Sequence, residues 1–215
     1  MTKNKTLIII FLPAIIIAGL ALFIRIIQYQ PLYPDLKDYE NLNGQTGFNL
    51  PIYPEDPIIG NKKAPKTIVA FEDYSCQGCK IQSTILNNLL EKYPDKIKII
   101  WKGLPVSQFP YPSKPAHDYA FCINEQGEFN KFYQLAFTNG GNLSNEILDV
   151  ITEQIDLNQK DLKTCLESNR PQLYVEKTEQ LGMVLNIQSV PTFFVNNKQV
   201  TTPTTLEGWE MLLGL

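Results

Sequence analysis

The sequence predicts an α/β fold with an inserted all-helical subdomain, preceded by a single N-terminal transmembrane helix. Three observations support this prediction. Two apolar runs flank an amphipathic stretch between residues 66 and 101, a long stretch without strand-like runs follows, and a short hairpin pattern comes near the end. With 215 residues, of which 44% are hydrophobic, the chain can build one domain of ordinary size with a substantial core.

Residues 1–27 predict a membrane anchor. Leu7 to Ile24 form an unbroken apolar run of 18 residues, preceded by Lys3 and Lys5, and a membrane-spanning helix needs roughly 20 apolar residues. A secretory signal peptide also begins with positive charge, but its apolar core is typically about 7–15 residues long. We therefore expect an uncleaved signal-anchor that enters the membrane through residues 7–27. The two lysines favour a cytoplasmic N-terminus and an extracytoplasmic body.

Residues 28–57 predict a linker, because Pro, Asn, Asp and Tyr are frequent there and no hydrophobic period is sustained. The folded domain is expected at residues 58–215, with the helical insertion at about 110–186. The formal net charge is −3, and the first 25 residues contribute cations without any acid, so the folded part is more acidic still. Such a charge balance disfavours nucleic acid as a partner.

Residues 66 to 101 predict a strand–helix–strand unit. Residues 67–71 form a continuous apolar run, which is typical of a strand buried on both faces. Ser75 is a suitable N-cap for the helix that follows, and apolar residues recur at helical spacing until Pro94. The second strand, at residues 96–101, is expected to lie parallel to the first through a right-handed crossover.

The remaining elements complete the order β-α-β, helical insertion, β-β-α. Residues 113–185 lack a strand-like run and predict four or five amphipathic helices. Residues 192–195 predict a strand that turns at Asn196-Asn197 and pairs back through residues 198–200. A short terminal helix is expected from Leu206 to Leu213.

Cys76-Gln77-Gly78-Cys79 lies between the first predicted strand and its helix. A sulfur at a helix N-terminus is close to unpaired backbone N–H groups and to the positive end of the helix dipole, and both stabilise a thiolate. We therefore expect Cys76 to be the exposed, attacking sulfur and Cys79, one turn further on, to be the buried resolving one. Redox exchange at this pair needs no cofactor beyond its own disulfide.

A metal site and an inert cross-link are the alternatives for this cysteine pair. Structural zinc usually takes four ligands, often as a second paired motif, and Cys122, Cys165 and His117 do not have that spacing. A disulfide that closes so short a loop restrains the unfolded chain little. Both points favour redox chemistry, and no metal is expected. His117 is interpreted as a packing or capping residue outside the site.

Cys122 and Cys165 form a second candidate pair on predicted helices. Disulfides persist outside the cytosol, where the predicted topology places them. A structural disulfide is therefore the favoured interpretation. The alternative is two buried thiols that pack as small apolar groups.

Three stretches carry a resemblance to a known family. Residues 59–79, which include Val69-Ala70-Phe71-Glu72-Asp73-Tyr74-Ser75 and the cysteine pair, resemble the opening of DsbA-like thiol:disulfide oxidoreductases of the thioredoxin superfamily. Residues 116–129 resemble part of that family's helical insertion, and Ser189-Val190-Pro191-Thr192-Phe193-Phe194-Val195-Asn196 resembles the segment before its third core strand. The resemblance covers residues 57–214.

The resemblance implies a thioredoxin fold with a helical insertion and a cis-proline at Pro191 opposite the cysteine pair. It implies that Val190, Gln77 and Gly78 contact the substrate, with the backbone of Val190 pairing with an extended client segment. The implied function is a membrane-anchored oxidoreductase, for example in a periplasm, that forms disulfides in reduced, unfolded exported proteins. A membrane redox partner would then reoxidise the pair. A thiol reductase for a narrow client, such as cytochrome maturation, and a metal-carrying module are the alternatives.

Two departures from the family pattern leave the direction of electron flow open. Many members have a buried acid six positions before the first cysteine, where this chain has Ala70. Glu72 shares that strand face, but we expect a carboxylate at a strand end beside Asp73 to be solvated. Gln77-Gly78 replaces the Pro-His pair of strong oxidants. Thioredoxin and DsbA differ by about 150 mV, or roughly 7 kcal/mol for two electrons, so the motif alone fits either role.

Overall fold

A computed structural model describes residues 16–21 and 49–215. Residues 16–21 form a short helical segment with exposed side chains, and residues 50–215 form a separate unit. Across these described residues, the structure contains no helix that combines the length and the apolar character needed to cross a bilayer. Most of the predicted anchor, and the predicted linker up to residue 48, lie outside the described residues.

The centre of the domain is a mixed five-stranded sheet. Its strands, in chain order, are β1 Ile58–Gly60, β2 Lys66–Glu72, β3 Ile97–Gly103, β4 Thr192–Val195 and β5 Lys198–Val200. Their spatial order is β1-β3-β2-β4-β5, and β2 pairs with β3 in parallel while the other pairs are antiparallel. The predicted α/β fold class is therefore confirmed. The continuous apolar run of β2 is explained by its central place in the sheet, where both faces are covered.

The helices follow the predicted order. They are α1 Gln77–Lys92, α2 Lys114–Glu125, α3 Phe129–Thr138, α4 Asn145–Glu153, α5 Gln159–Leu166, α6 Arg170–Val184 and α7 Leu206–Leu213. Five of them, α2 to α6, separate β3 from β4 and form the helical subdomain. Helix α1 connects the parallel strands β2 and β3, as the strand–helix–strand pattern predicts.

The β4–β5 hairpin turns through Asn196 and Asn197, whose φ angles are 52° and 62°. Two consecutive residues with left-handed backbone are what a two-residue turn of this kind requires, and Asn tolerates that conformation well. The sequence did not predict β1, because its three residues are too few to show a period.

Part of the stretch predicted as a linker packs against the folded body. Leu50 and Asp56 are buried, and Asp56 lies 2.6 Å from the ammonium group of the buried Lys102 on β3. The hydroxyl of Tyr174 on α6 also donates to Asp56, at 2.8 Å. A buried lysine needs such an anionic partner, because an unpaired charge in the interior is strongly destabilising.

Cys122 on α2 and Cys165 on α5 form a disulfide inside the helical subdomain, and both are buried. The bond closes a loop with a sequence separation of 43 residues. A loop of that length contributes on the order of 4 kcal/mol in the chain-entropy description of disulfides.

Candidate active site

The cysteine pair lies where β2 passes into α1. The extended backbone of Cys76, with φ −85° and ψ 121°, places its sulfur at the N-cap of α1, where it accepts the backbone N–H of Cys79 at 3.3 Å. The predicted N-cap at Ser75 is therefore wrong. The N–H of Ser75 instead donates to Asp73 at 3.1 Å, and the helix begins one residue later.

The two sulfurs have different surroundings. Cys76 is partly exposed, whereas Cys79 is completely buried. Hydrogen bonding with the Cys79 side chain, assisted by the N–H groups of Cys79 and Gly78, lowers the pKa of Cys76 from 9.0 to about 6 against the effect of partial burial. Burial raises the pKa of Cys79 far above its ordinary value. At neutral pH Cys76 is thus largely a thiolate and Cys79 a thiol, and a thiolate is the nucleophile of disulfide exchange.

Residues from far along the chain approach this pair. The Val190–Pro191 peptide bond is cis, and the Cys76 sulfur lies 3.5 Å from the carbonyl oxygen of Val190. A Cβ added to Gly78 would lie 3.2 Å from the Pro191 ring, so the absence of a side chain at residue 78 allows this close approach. Gln77, the first residue of α1, is exposed beside them.

Glu72 is completely buried, so the expectation that it is solvated is wrong. The hydroxyl of Tyr133 on α3 donates to its carboxyl oxygen at 2.9 Å. Burial raises the pKa of Glu72 from 4.5 to about 8, although the bond from Tyr133 acts in the opposite direction. The sequence did not reveal this, because the residue that covers the end of β2 lies 61 positions further along the chain.

Glu72 is electrostatically coupled to both sulfurs. Its charge contributes to the raised pKa of Cys79, and the Cys76 thiolate contributes to the raised pKa of Glu72. A buried carboxyl with its pKa near neutrality beside a reactive group can hold or release a proton during reaction. Ala70 offers no such group, and Glu72 lies two residues beyond it on the same strand.

His117 on α2 is packed among aromatic rings beside the site. Its ring stacks on Trp101 with a centroid separation of 5.3 Å and also contacts Tyr74 at 5.1 Å. Its Nε2 atom lies 3.5 Å from a carboxyl oxygen of Asp73. Of the two roles expected for His117, packing or capping, these ring contacts agree with packing.

The loop between β3 and α2 exposes apolar side chains. Val106 is 53% exposed and Phe109 is 88% exposed. The loop begins at the same edge of the sheet as the cysteine pair, because the last residues of β2 and β3, Glu72 and Gly103, are paired in parallel. In residues 16–21 and 49–215, no cluster of three or more His, Cys, Asp or Glu side chains is arranged to hold a metal ion.

Comparisons with known proteins extend these observations. A family model described as Thioredoxin matches residues 53–214. Disulfide bond formation protein D of Bacillus subtilis is 26% identical over 156 residues, which cover 67% of this chain and 69% of that protein. Na(+)/H(+) antiporter NhaA 1 of Salinispora arenicola is 24% identical over 151 residues, or 70% of this chain, but the match spans only 23% of the antiporter.

Solved structures share the fold. The catalytic domain of Proteus mirabilis ScsC has a TM-score of 0.66 and 21% identity, with 83% of this chain and 94% of that chain covered. BdbD from Bacillus subtilis, in its oxidised form, has a TM-score of 0.67 and 21% identity, with 77% and 95% covered. At this level of identity, the likeness concerns the arrangement of helices and strands.

Proposed function

Starting from the fact that this chain belongs to the thioredoxin family, we propose that it is a thiol:disulfide oxidoreductase that forms disulfide bonds in exported proteins. The difference between its two sulfurs is the observation that carries this proposal. Cys76 is accessible with a low pKa, and Cys79 is buried with a high one. That is the division of roles that stepwise disulfide exchange needs.

The reaction starts from the oxidised Cys76–Cys79 pair. A client thiolate attacks the sulfur of Cys76, the intramolecular disulfide breaks, and Cys79 leaves with the electron pair and takes up a proton. A second client thiolate then attacks the client sulfur of the mixed disulfide, and Cys76 leaves as a thiolate. The client has lost two electrons and gained a disulfide, and the cysteine pair has gained the two electrons.

Glu72 is proposed to supply the proton that Cys79 takes up. Its pKa of about 8 keeps it protonated at neutral pH, and its burial excludes bulk water from its carboxyl group. A leaving thiolate with a strongly raised pKa gains most from a proton donor in the same buried environment. We propose Glu72 as the buried acid of this site, in place of the acid that many family members have at the position of Ala70.

A low pKa at Cys76 favours the oxidising direction. Stabilising the thiolate stabilises the reduced enzyme, and a couple whose reduced form is stable accepts electrons more readily. The Gln77-Gly78 pair brings no positive charge between the sulfurs, so the stabilisation comes from the hydrogen bonds that Cys76 accepts at the start of α1.

Unfolded clients are proposed to bind where Val190 and Pro191 adjoin the cysteine pair. The Val190 carbonyl oxygen lies beside the Cys76 sulfur, where it can accept a hydrogen bond from an extended client segment. Gln77 and Gly78 follow Cys76 directly, and Gly78 adjoins both the Cys76 sulfur and the Pro191 ring. The exposed apolar side chains of the β3–α2 loop suit the apolar segments that an unfolded protein presents.

The N-terminal apolar run supports a location at the cell membrane, with the catalytic domain on the extracytoplasmic side. There a membrane redox partner would reoxidise the Cys76–Cys79 pair after each cycle. The name of the Bacillus subtilis relative, disulfide bond formation protein D, agrees with the proposed formation of disulfide bonds.

Trapping of the mixed disulfide tests the proposed chemistry. The full-length Cys79→Ala variant, activated at Cys76 with a small disulfide reagent and mixed with an unfolded client that has a single cysteine, should retain the client covalently until reductant is added. The Cys76→Ala variant, treated identically, is the matched control and should retain none. Equal retention by both variants, or peptide mapping of the client to Cys122 or Cys165, would contradict the assigned roles.

A further inference from the structure

Asp73 lies three residues before Cys76 and is completely buried. Both of its carboxyl oxygens accept hydrogen bonds. Oδ1 accepts the N–H of Ser75 at 3.1 Å, and Oδ2 accepts the N–H groups of Val106 and Ser107 at 2.9 and 2.8 Å and the hydroxyl of Ser113 at 3.0 Å. One side chain therefore joins three segments, which are the turn before α1, the β3–α2 loop and the start of α2.

The backbone of Asp73 is also part of the turn before α1. Its carbonyl oxygen accepts the N–H of Cys76 at 3.1 Å. The Nε2 atom of His117 lies 3.5 Å from Oδ1 of the Asp73 side chain. Gly103 makes room for His117, since a Cβ at residue 103 would overlap the imidazole ring.

The carboxylate is charged in the folded protein. Burial alone would raise the pKa of Asp73, but His117 and the N–H groups of Ser75 and Val106 hold it well below its usual range. A buried anion is tolerated when hydrogen-bond donors surround it, as they do here.

The position of Ser113 shows how Asp73 is connected to α2. It occupies the N-cap position of α2, yet its hydroxyl makes no capping bond to that helix and donates to Asp73 instead. Ser144, at the N-cap of α4, behaves in the ordinary way and accepts the N–H of Ile147. The residue that precedes α2 thus directs its polar group toward the turn that carries Cys76.

Asp73 can affect the pKa of Cys76 in two opposite ways, through its negative charge and through its hydrogen bonds. As a nearby anion, Asp73 raises the pKa of Cys76. Removing the charge alone would therefore make the thiolate more stable. The side-chain hydrogen bonds of Asp73 hold the turn from which the Cys76 sulfur accepts the N–H of Cys79, so losing them would make the thiolate less stable.

We infer that Asp73 is a positioning residue for Cys76, which clamps the turn before α1 to the β3–α2 loop and to the helical subdomain so that the Cys76 sulfur is held against the first turn of α1. The helical subdomain thereby influences the reactivity of the Cys76 sulfur through its hydrogen bond to Asp73. This inference rests on the proposed function only in that Cys76 is the reacting sulfur.

The test is a titration of the Cys76 thiolate in the reduced full-length protein, followed by ultraviolet absorbance against pH. Asp73→Asn keeps the shape and removes the charge and one strong acceptor, and Ser113→Ala removes one donor to Asp73. We expect the midpoint to rise by about one pH unit in Asp73→Asn, a roughly tenfold loss of thiolate stability, and to rise less in Ser113→Ala. Ser144→Ala, the same substitution at another helix N-cap, should leave the midpoint at the wild-type value.

A midpoint that falls in Asp73→Asn would show that Asp73 acts through its charge and would overturn the inference. So would a midpoint unchanged in Ser113→Ala, which decides the question if Asp73→Asn does not fold. The titration requires no client and no turnover. A protein that fails to oxidise clients but shows the expected shifts would refute the proposed function and leave the role of Asp73 standing.

Discussion

Replacing Glu72 with Gln should change how the stability of the domain depends on pH. The introduced amide would keep an oxygen that accepts the Tyr133 hydroxyl and would remain neutral at every pH. Glu72 is neutral only while it is protonated, and its burial makes ionisation inside the folded protein unfavourable. The substitution therefore removes a titration and preserves most of the packing.

The size of the effect follows from the two pKa values of Glu72. The unfolded chain loses this proton near the ordinary pKa of 4.5, whereas the folded chain keeps it up to about pH 8. Between these limits the folded state binds more protons, so its stability falls as the pH rises, by about 1.4 kcal/mol per pH unit. The contribution is complete below the lower limit and is lost by about pH 8. At pH 7 the Gln variant should be more stable than the wild type by about 3 kcal/mol from this source.

Urea denaturation between pH 5 and pH 8 would measure this difference. The experiment is best done in a Cys76→Ser/Cys79→Ser background, in which only Cys122 and Cys165 remain to form a disulfide. We expect the stability gap between Glu72→Gln and its parent to be small at pH 5 and to widen steadily toward pH 8.

Glu91→Gln is the matched control, because Glu91 on α1 is exposed and the substitution makes the same atomic change. Its stability should follow the parent across the whole pH range. If the Glu72→Gln curve also ran parallel to the parent, Glu72 would not be a buried, protonated carboxyl, and its proposed role as proton donor to Cys79 would have to be abandoned.

Two further predictions concern the surface around the cysteine pair. Gly78→Ala should slow client oxidation several-fold, because the new Cβ meets the Pro191 ring at 3.2 Å. Gly182→Ala, whose Cβ meets Leu104 at the same distance, should leave the rate of client oxidation unchanged. Equal rates for both variants in a stopped-flow oxidation assay would contradict this prediction. Phe109→Ser should raise the KM for an unfolded client. Met211→Ser, at an 85% exposed position on α7, should leave that KM unchanged. The same KM for both variants would exclude the β3–α2 loop from client binding.

The sequence predicted the elements whose signal is local. The apolar run of β2, the helical spacing of α1 and the hairpin at Asn196-Asn197 each lie within a few residues, and each was found near its predicted bounds. The site residues Val190 and Pro191 were predicted only through the family resemblance, because nothing local connects residue 191 to residue 76.

The features that the sequence did not reveal depend on contacts across the fold. Glu72 is buried in the folded protein, and Tyr133, which donates to it, approaches only once the helical subdomain has packed. Asp73 appeared as one more acidic residue at a strand end, and three of its donors, Val106, Ser107 and Ser113, lie 33 to 40 positions further along the chain. Cys76 caps α1 because its backbone is extended and its sulfur accepts the N–H of Cys79, and the sequence alone does not show that conformation.

The reduction potential of the Cys76–Cys79 couple tests the proposed oxidase function most directly. It can be measured by equilibrating the full-length protein with glutathione buffers and quantifying the reduced pair by thiol alkylation and mass spectrometry. We predict a value closer to the potential of DsbA, about −120 mV, than to that of thioredoxin, about −270 mV. A value at the thioredoxin end would mean that the low pKa of Cys76 does not make the pair an oxidant, and would identify the protein as a reductase.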